Sequence, residues 1–188
     1  MRSSLLAITL TLLSSIPPVL ADTYIIDSEH AFPQFAVRHL NFSTLRGRFN
    51  QTTGQLSMDR EKGTGSVEVV IDANSLDTGH QKRDEHLRGA DFFNVKKYPQ
   101  ITYKSTQIHF QGQDKAVVEG ELTMKGITKP LILNVERIQC GINPVNKKET
   151  CGFDAQGTLK RSDFDIKYGL QVIPDEVQLI ISADAIKQ

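Results

Sequence analysis

The chain is 188 residues long and carries 22 Lys+Arg against 22 Asp+Glu, a formal net charge of zero. That length suits one domain with a sizeable core. The balanced charge argues against nucleic acid as a partner, which calls for a basic excess.

Residues 1–21 read as a segment to be removed. One positive charge, Arg2, precedes an apolar stretch from Leu5 to Leu13, and the segment ends in Val19-Leu20-Ala21. This is the pattern of a secretory signal peptide. Ser14, Ser15, Pro17 and Pro18 interrupt the run before it reaches the ~20 apolar residues of a membrane span. The expectation is an exported protein, residues 22–188, with no stable membrane insertion.

Most of the chain beyond residue 21 alternates with period two. In "SVEVVIDA", Val67, Val69, Ile71 and Ala73 point one way, with Glu68 and Asp72 opposite. Ala116, Val118, Leu122 and Met124 repeat the pattern, as do Leu131, Leu133 and Val135, and then Val177, Leu179, Ile181 and Ala183. Such alternation marks antiparallel strands with one apolar face and one wet face. Strands are expected near 23–27, 32–39, 44–58, 66–75, 100–110, 114–124, 130–139 and 152–160, with a further one at 176–186. A set of one-sided strands closes into a barrel or splits into a sandwich. Barrels of about eight strands are either filled by side chains or keep room for one ligand, and the periodicity does not choose between those outcomes.

The stretch "RDEHLRGADFFNVKKYPQITY", residues 83–103, breaks the pattern. From Asp77 to Gly89 there is no proline, one large apolar residue (Leu87) and good helix formers. Asp84 and Arg88 stand four apart in the favourable order for a helical pair, and Gly89 suits a left-handed cap. A short helix over one barrel end, anchored by Leu87, Phe92 and Phe93, is expected. It is either a plug over the core or the rim of a cavity. If the two phenylalanines sit in a helical turn, one wedges the helix against the wall and the other faces the mouth.

Cys140 and Cys151 bracket the polar run "GINPVNKKET". In an exported chain such a pair is expected to be a disulfide at the base of a hairpin loop. CxxC spacing and neighbouring histidines, which a redox or metal pair would use, are missing.

"YIIDSEHAFPQFAVRHLNFSTLRGRF", "SLDTGHQKRDEHLRGADFFNVKKYPQITY", "GELTMKGITKP" and "RSDFDIKYGL…PDEVQLII" together resemble the YceI-like family, in order and in approximate spacing, from Tyr24 to about Ala185. The resemblance implies an all-β, lipocalin-like antiparallel barrel with one or two short helices, one of them at a barrel end. It also implies a periplasmic protein holding a polyisoprenoid, or the tail of an isoprenoid quinone, in an internal pore. The ligand-binding set expected is His39, Arg83, His86, Leu87, Phe92, Phe93 and Phe164 on the basis of that resemblance, with Met124 added from the inward face of its alternating strand. Asp84 would hold the helix, and Arg83 or His86 would meet a head group. No cofactor other than such a ligand is implied, no catalytic residue or metal is expected, and a homodimer stays open. The family pattern continues "RSDF" with Gly, where this chain has Asp165; an added carboxylate there bears on head-group preference. The rival readings are a hydrolase acting on a lipid-like amide or ester, though no G-x-S-x-G elbow occurs, and a stress-related scaffold with a filled barrel.

Overall fold

The computed structural model describes residues 21–188; the expected signal peptide therefore lies outside the described residues except for Ala21. The described residues form eleven strands: β1 (Asp22–Ala31), β2 (Gln34–His39), β3 (Ser43–Phe49), β4 (Thr52–Asp59), β5 (Thr64–Asp72), β6 (Leu76–Asp77), β7 (Gln100–Gln111), β8 (Lys115–Met124), β9 (Ile127–Ile142), β10 (Glu149–Lys160) and β11 (Glu176–Lys187). One α-helix, α1 (Gln81–Arg88), falls between β6 and β7, and 3-10 turns span Ala73–Ser75 and Arg161–Phe164.

Eight strands close a ring in the order β1-β4-β5-β7-β8-β9-β10-β11, and β11 returns to β1. All pairings are antiparallel: β1 holds Tyr24 against Lys187 on one side and against Leu56 on the other. At the other end β11 pairs with β2 instead, with Leu179 opposite Phe35, and the sheet continues through β3 to β6.

The sequence pattern separates the first strand from the second but does not locate the other breaks. The expected strand over 44–58 is two strands. At the break, Asn50 donates its amide to the Ser75 carbonyl, Gln51 donates to Ser75 Oγ, and Asp72 donates to the Gln51 carbonyl. The chain at this corner is thus satisfied by the 3-10 turn rather than by a ladder, which backbone polar groups require of any bend that leaves a sheet. The expected strand at 66–75 ends at Asp72 for the same reason, its carboxylate accepting from Asn74 N at 2.9 Å. Phe32-Pro33 breaks the first strand, and Phe49 donates to the Pro33 carbonyl at 3.0 Å.

Two glycines let aromatic rings lie across the sheet. A Cβ on Gly120 would stand 2.6 Å from Tyr103 Oη, and one on Gly47 would run into the Phe35 ring. Tyr103 uses the space to donate to the carbonyls of Val118 (3.1 Å) and Leu131 (3.3 Å). At the far end Tyr24, Ile26, Leu56, Met58, Cys151 and Ala185 pack into a separate buried cluster. Cys140 and Cys151 stand opposite each other on β9 and β10 with Cα atoms 4.0 Å apart and are joined by a disulfide.

Candidate functional site: an apolar cavity under the helix

The barrel is not filled. A cavity of about 790 Å³ runs along its interior, within the size range of small-molecule sites. Its wall is made by the inward positions of the alternating strands. Val67, Val69 and Ile71 come from β5, Val118, Leu122 and Met124 from β8, Leu131, Leu133 and Val135 from β9, and Val177, Leu179, Ile181 and Ala183 from β11. Polar residues gather where β2, β3 and α1 meet the cavity: His39, Ser43, Thr78, Arg83 and His86.

Helix α1 covers the gap that β6 leaves by ending after two residues. Its N-cap is His80, whose ring accepts from Arg83 N. Three side chains dock it onto the segment before it. Asp84, 7% exposed, accepts from the Thr78 amide at 2.9 Å and from the Thr78 hydroxyl. Arg83 donates to Thr78 Oγ1 at 2.8 Å and to the Thr78 carbonyl at 2.7 Å. Arg88 donates to the Asn74 carbonyl at 2.9 Å and to the Leu76 carbonyl. Side chains thus take the place that a neighbouring strand would fill, which the obligatory pairing of buried backbone groups demands.

Two local expectations are corrected. Asp84 and Arg88 do not pair with each other, because each has a backbone partner outside the helix that a solvated i,i+4 contact cannot match. Gly89 is not left-handed: its φ of −70° and ψ of 175° are extended, and its amide closes on the His86 carbonyl. The left-handed turn comes later, at Asn94 (φ 48°).

Seven of the eight residues expected to bind ligand, His39, Arg83, His86, Leu87, Phe92, Phe93 and Met124, lie on the cavity wall. Phe164 does not. It is 2% exposed within the hydrophobic core, on the 3-10 turn after β10. Phe93 packs edge-on against Phe49, ring centroids 5.5 Å apart, and tilts against Phe35 at 6.5 Å. Phe92 instead meets His86 at 5.0 Å and Tyr168 at 5.4 Å, and His86 meets Tyr168 at 5.1 Å.

Sequence reasoning did not place Phe35, Phe49, Tyr103 or Tyr168 on the wall. For Phe35 the signal was present, since Phe35, Val37 and His39 alternate in the same strand. Tyr168 sits in an irregular segment, 165–175, with no period to read. That segment is gathered by Arg161, which is 6% exposed and donates to the carbonyls of Pro174, Ile166, Tyr168 and Ile173 at 2.8–3.2 Å. Burial pulls its guanidinium below the ordinary arginine value, and Asp175 opposes that shift. Ser162 donates its hydroxyl and amide to Asp175 at 2.6 and 2.8 Å.

Asp165 is explained by backbone geometry. With φ 57° and ψ 31° it is the left-handed residue ending the 3-10 turn, a conformation glycine adopts freely and Asp tolerates. Its carboxylate turns to Lys167 at 2.9 Å, which holds it below the usual carboxylate range, and it is not on the cavity wall.

The family profile of the YceI-like domain matches residues 24–185. Protein YceI of Escherichia coli is 41% identical over 192 aligned positions that cover all of both chains. A UPF0312 protein of Pectobacterium carotovorum is 39% identical, covering all of this chain and 99% of its own. Among solved structures, Burkholderia cenocepacia BcnA superposes with a TM-score of 0.75 at 28% identity, covering 85% of this chain and 98% of its own. A polyisoprenoid binding domain from Saccharophagus degradans shares the fold, with a TM-score of 0.64 at 19% identity over 88% of this chain and 98% of its own.

Proposed function

Since the chain belongs to the YceI-like family, we propose that it is an exported binding protein whose barrel holds the apolar tail of a polyisoprenoid or isoprenoid quinone. The observation that carries this reading is the unfilled, apolar cavity of about 790 Å³ opening beneath α1. A fold neighbour that is a polyisoprenoid binding domain supports the ligand class.

The energetics favour a long chain. An isoprene unit has five carbons, so full burial offers roughly 4 kcal/mol gross at about 0.8 kcal/mol per carbon. Three or four buried units offset the ordering costs of association and leave useful affinity. At the mouth, His86, Phe92 and Tyr168 form an amphipathic aromatic group suited to a ring or polar head, and Arg83 stands on the same wall. The reading is one of binding rather than catalysis, because the tube supplies apolar burial along its length, and two of its cations hold the fold: Arg83 on Thr78 and Arg161 on four carbonyls.

Mass spectrometry of organic extracts from natively expressed protein tests the proposal. A prenyl lipid recovered in near-stoichiometric amount is expected. Extracts without one, together with no binding of a long-chain prenol by the stripped protein, would sink it.

A further inference from the structure

The β2–β3 hairpin stands beside the cavity mouth and has a character unlike the rest of the chain. From residue 32 to residue 49 there are three arginines, Arg38, Arg46 and Arg48, and no Asp or Glu, in a chain whose overall charge is zero. The register pairs Ala36 with Arg46, Arg38 with Thr44 and Gln34 with Arg48, so the three arginines share one face of the hairpin; Arg48, farthest from the tip, also stands opposite Asp77 of β6, which leaves Arg38 and Arg46 as the cations nearest the tip. At the tip, Leu40 is 42% exposed and Phe42 is 87% exposed.

The tip is also strained. Leu40 and Asn41 both have positive φ, 51° and 60°. Tight hairpin turns of this kind favour Asn and Gly at such positions, and a bulky residue there is an outlier. An exposed leucine held at positive φ gains nothing for folding, which points to a use outside the fold. Across the mouth, Tyr168 and Val172 are also exposed, at 53% and 58%. Of the carboxylates around the mouth, Asp165 is engaged with Lys167, Asp175 with Ser162 and Asp91 with His86, while Asp163 is exposed. His39 and Ser43, at the two ends of the tip, belong to the cavity wall, so whatever meets the tip also meets the opening.

We propose that this hairpin docks the protein mouth-first on an anionic lipid bilayer, with Phe42 and Leu40 entering the interfacial layer and Arg38 and Arg46 meeting lipid phosphates. Exposed apolar tips combined with basic side chains bind interfaces in this way, the charge supplying attraction and the apolar groups depth. The geometry would present the cavity to the layer in which a prenyl chain is dissolved, so the purpose of docking, though not the docking itself, rests on the proposed prenyl ligand. The opposite barrel end has its own exposed apolar tip at Val145, 88% exposed, and it serves as the control.

The test is co-sedimentation of the protein with vesicles of phosphatidylglycerol and phosphatidylethanolamine, compared with vesicles of phosphatidylcholine alone. Titration with a long-chain prenol, without vesicles, runs in parallel. Wild type should bind the anionic vesicles, less so as salt rises. The double variant Leu40→Ser/Phe42→Ser should lose about tenfold or more of that binding, with an unchanged circular dichroism spectrum and an unchanged prenol titration. Val145→Ser should bind vesicles like wild type. Indifference of wild type to anionic vesicles would overturn the proposal, as would equal loss in Val145→Ser. So would a concentration-dependent dimer that disappears in the double variant, since the tip would then serve a second copy of the chain. Hairpin-dependent vesicle binding without any prenol binding would support docking and count against the prenyl ligand alone.

Discussion

Phe92 and Phe93 are neighbours in sequence and belong to different clusters: Phe93 is wedged against Phe49 and Phe35, and Phe92 against His86 and Tyr168. Phe93 is therefore the anchor and Phe92 the mouth residue. Phe93→Ala should lose about 3 kcal/mol in urea denaturation, near the low end for buried Phe→Ala because Phe93 is only half-buried. Phe92→Ala should cost clearly less stability while weakening prenol binding more. Equal effects of the two changes on both measurements would remove the distinction.

Asp84 carries the docking of α1. Asp84→Ala would leave the Thr78 amide without its acceptor, a loss of about 1–3 kcal/mol for a buried donor. Amide exchange over residues 81–88 should accelerate more than exchange in the β8–β9 ladder. Uniform acceleration across the barrel would mean that Asp84 stabilises the whole fold and not the helix alone.

Tyr103 makes the barrel sensitive to alkali. Burial raises its phenol above the ordinary value of 10.0, with Glu119 adding to the shift. A group whose folded pKa is raised contributes stability that is complete below its unfolded pKa and is lost as pH rises through the folded one. Wild type should therefore lose stability above about pH 10. Tyr103→Phe should be less stable at pH 7 by about 0.5–1.5 kcal/mol, for the bonds to Val118 and Leu131, and should show a shallower alkaline decline. Parallel declines in the two proteins would contradict the assignment.

The Cys140–Cys151 link spans a sequence separation of 11, and closing so short a loop stabilises by about 3 kcal/mol or less. Non-reducing peptide mapping of natively expressed protein should recover the two cysteines in one linked peptide. Reduction should lower the denaturation midpoint without emptying the cavity, whose wall does not include either cysteine.

Asp165→Gly should hold or raise stability by up to ~1 kcal/mol, since glycine relieves the positive φ at the expense of a surface pair with Lys167 worth little. Prenol affinity should not change. A large change in affinity would show that the carboxylate reaches the ligand after all.

The tube itself was legible in the sequence, because burial on one face imposes a period of two: Val67 through Ile71, Val118 through Met124 and Val177 through Ala183 all line the cavity as their alternation implied. The bends were harder to read. Asn50-Gln51 is polar and turn-like, but its role depends on tertiary bonds to Ser75 and Asp72 that lie some twenty residues away. The partners of α1 were hidden for the same reason. Local spacing proposed Asp84 with Arg88, whereas the fold offers each a stronger backbone partner. Phe164 was placed on the wall through family resemblance, and its burial depends on how Arg161 gathers the segment after it.

A closed ring has no free strand edge, but the branch through β2 and β3 would end in one. It ends in β6, two residues long, where the Leu76 carbonyl is taken by Arg88 and the next amide, of Thr78, by Asp84. Unpaired edges are templates on which other chains assemble. By capping this one with side chains, α1 guards the protein against edge-to-edge aggregation, so variants that unseat the helix should lose colloidal solubility before they lose the barrel.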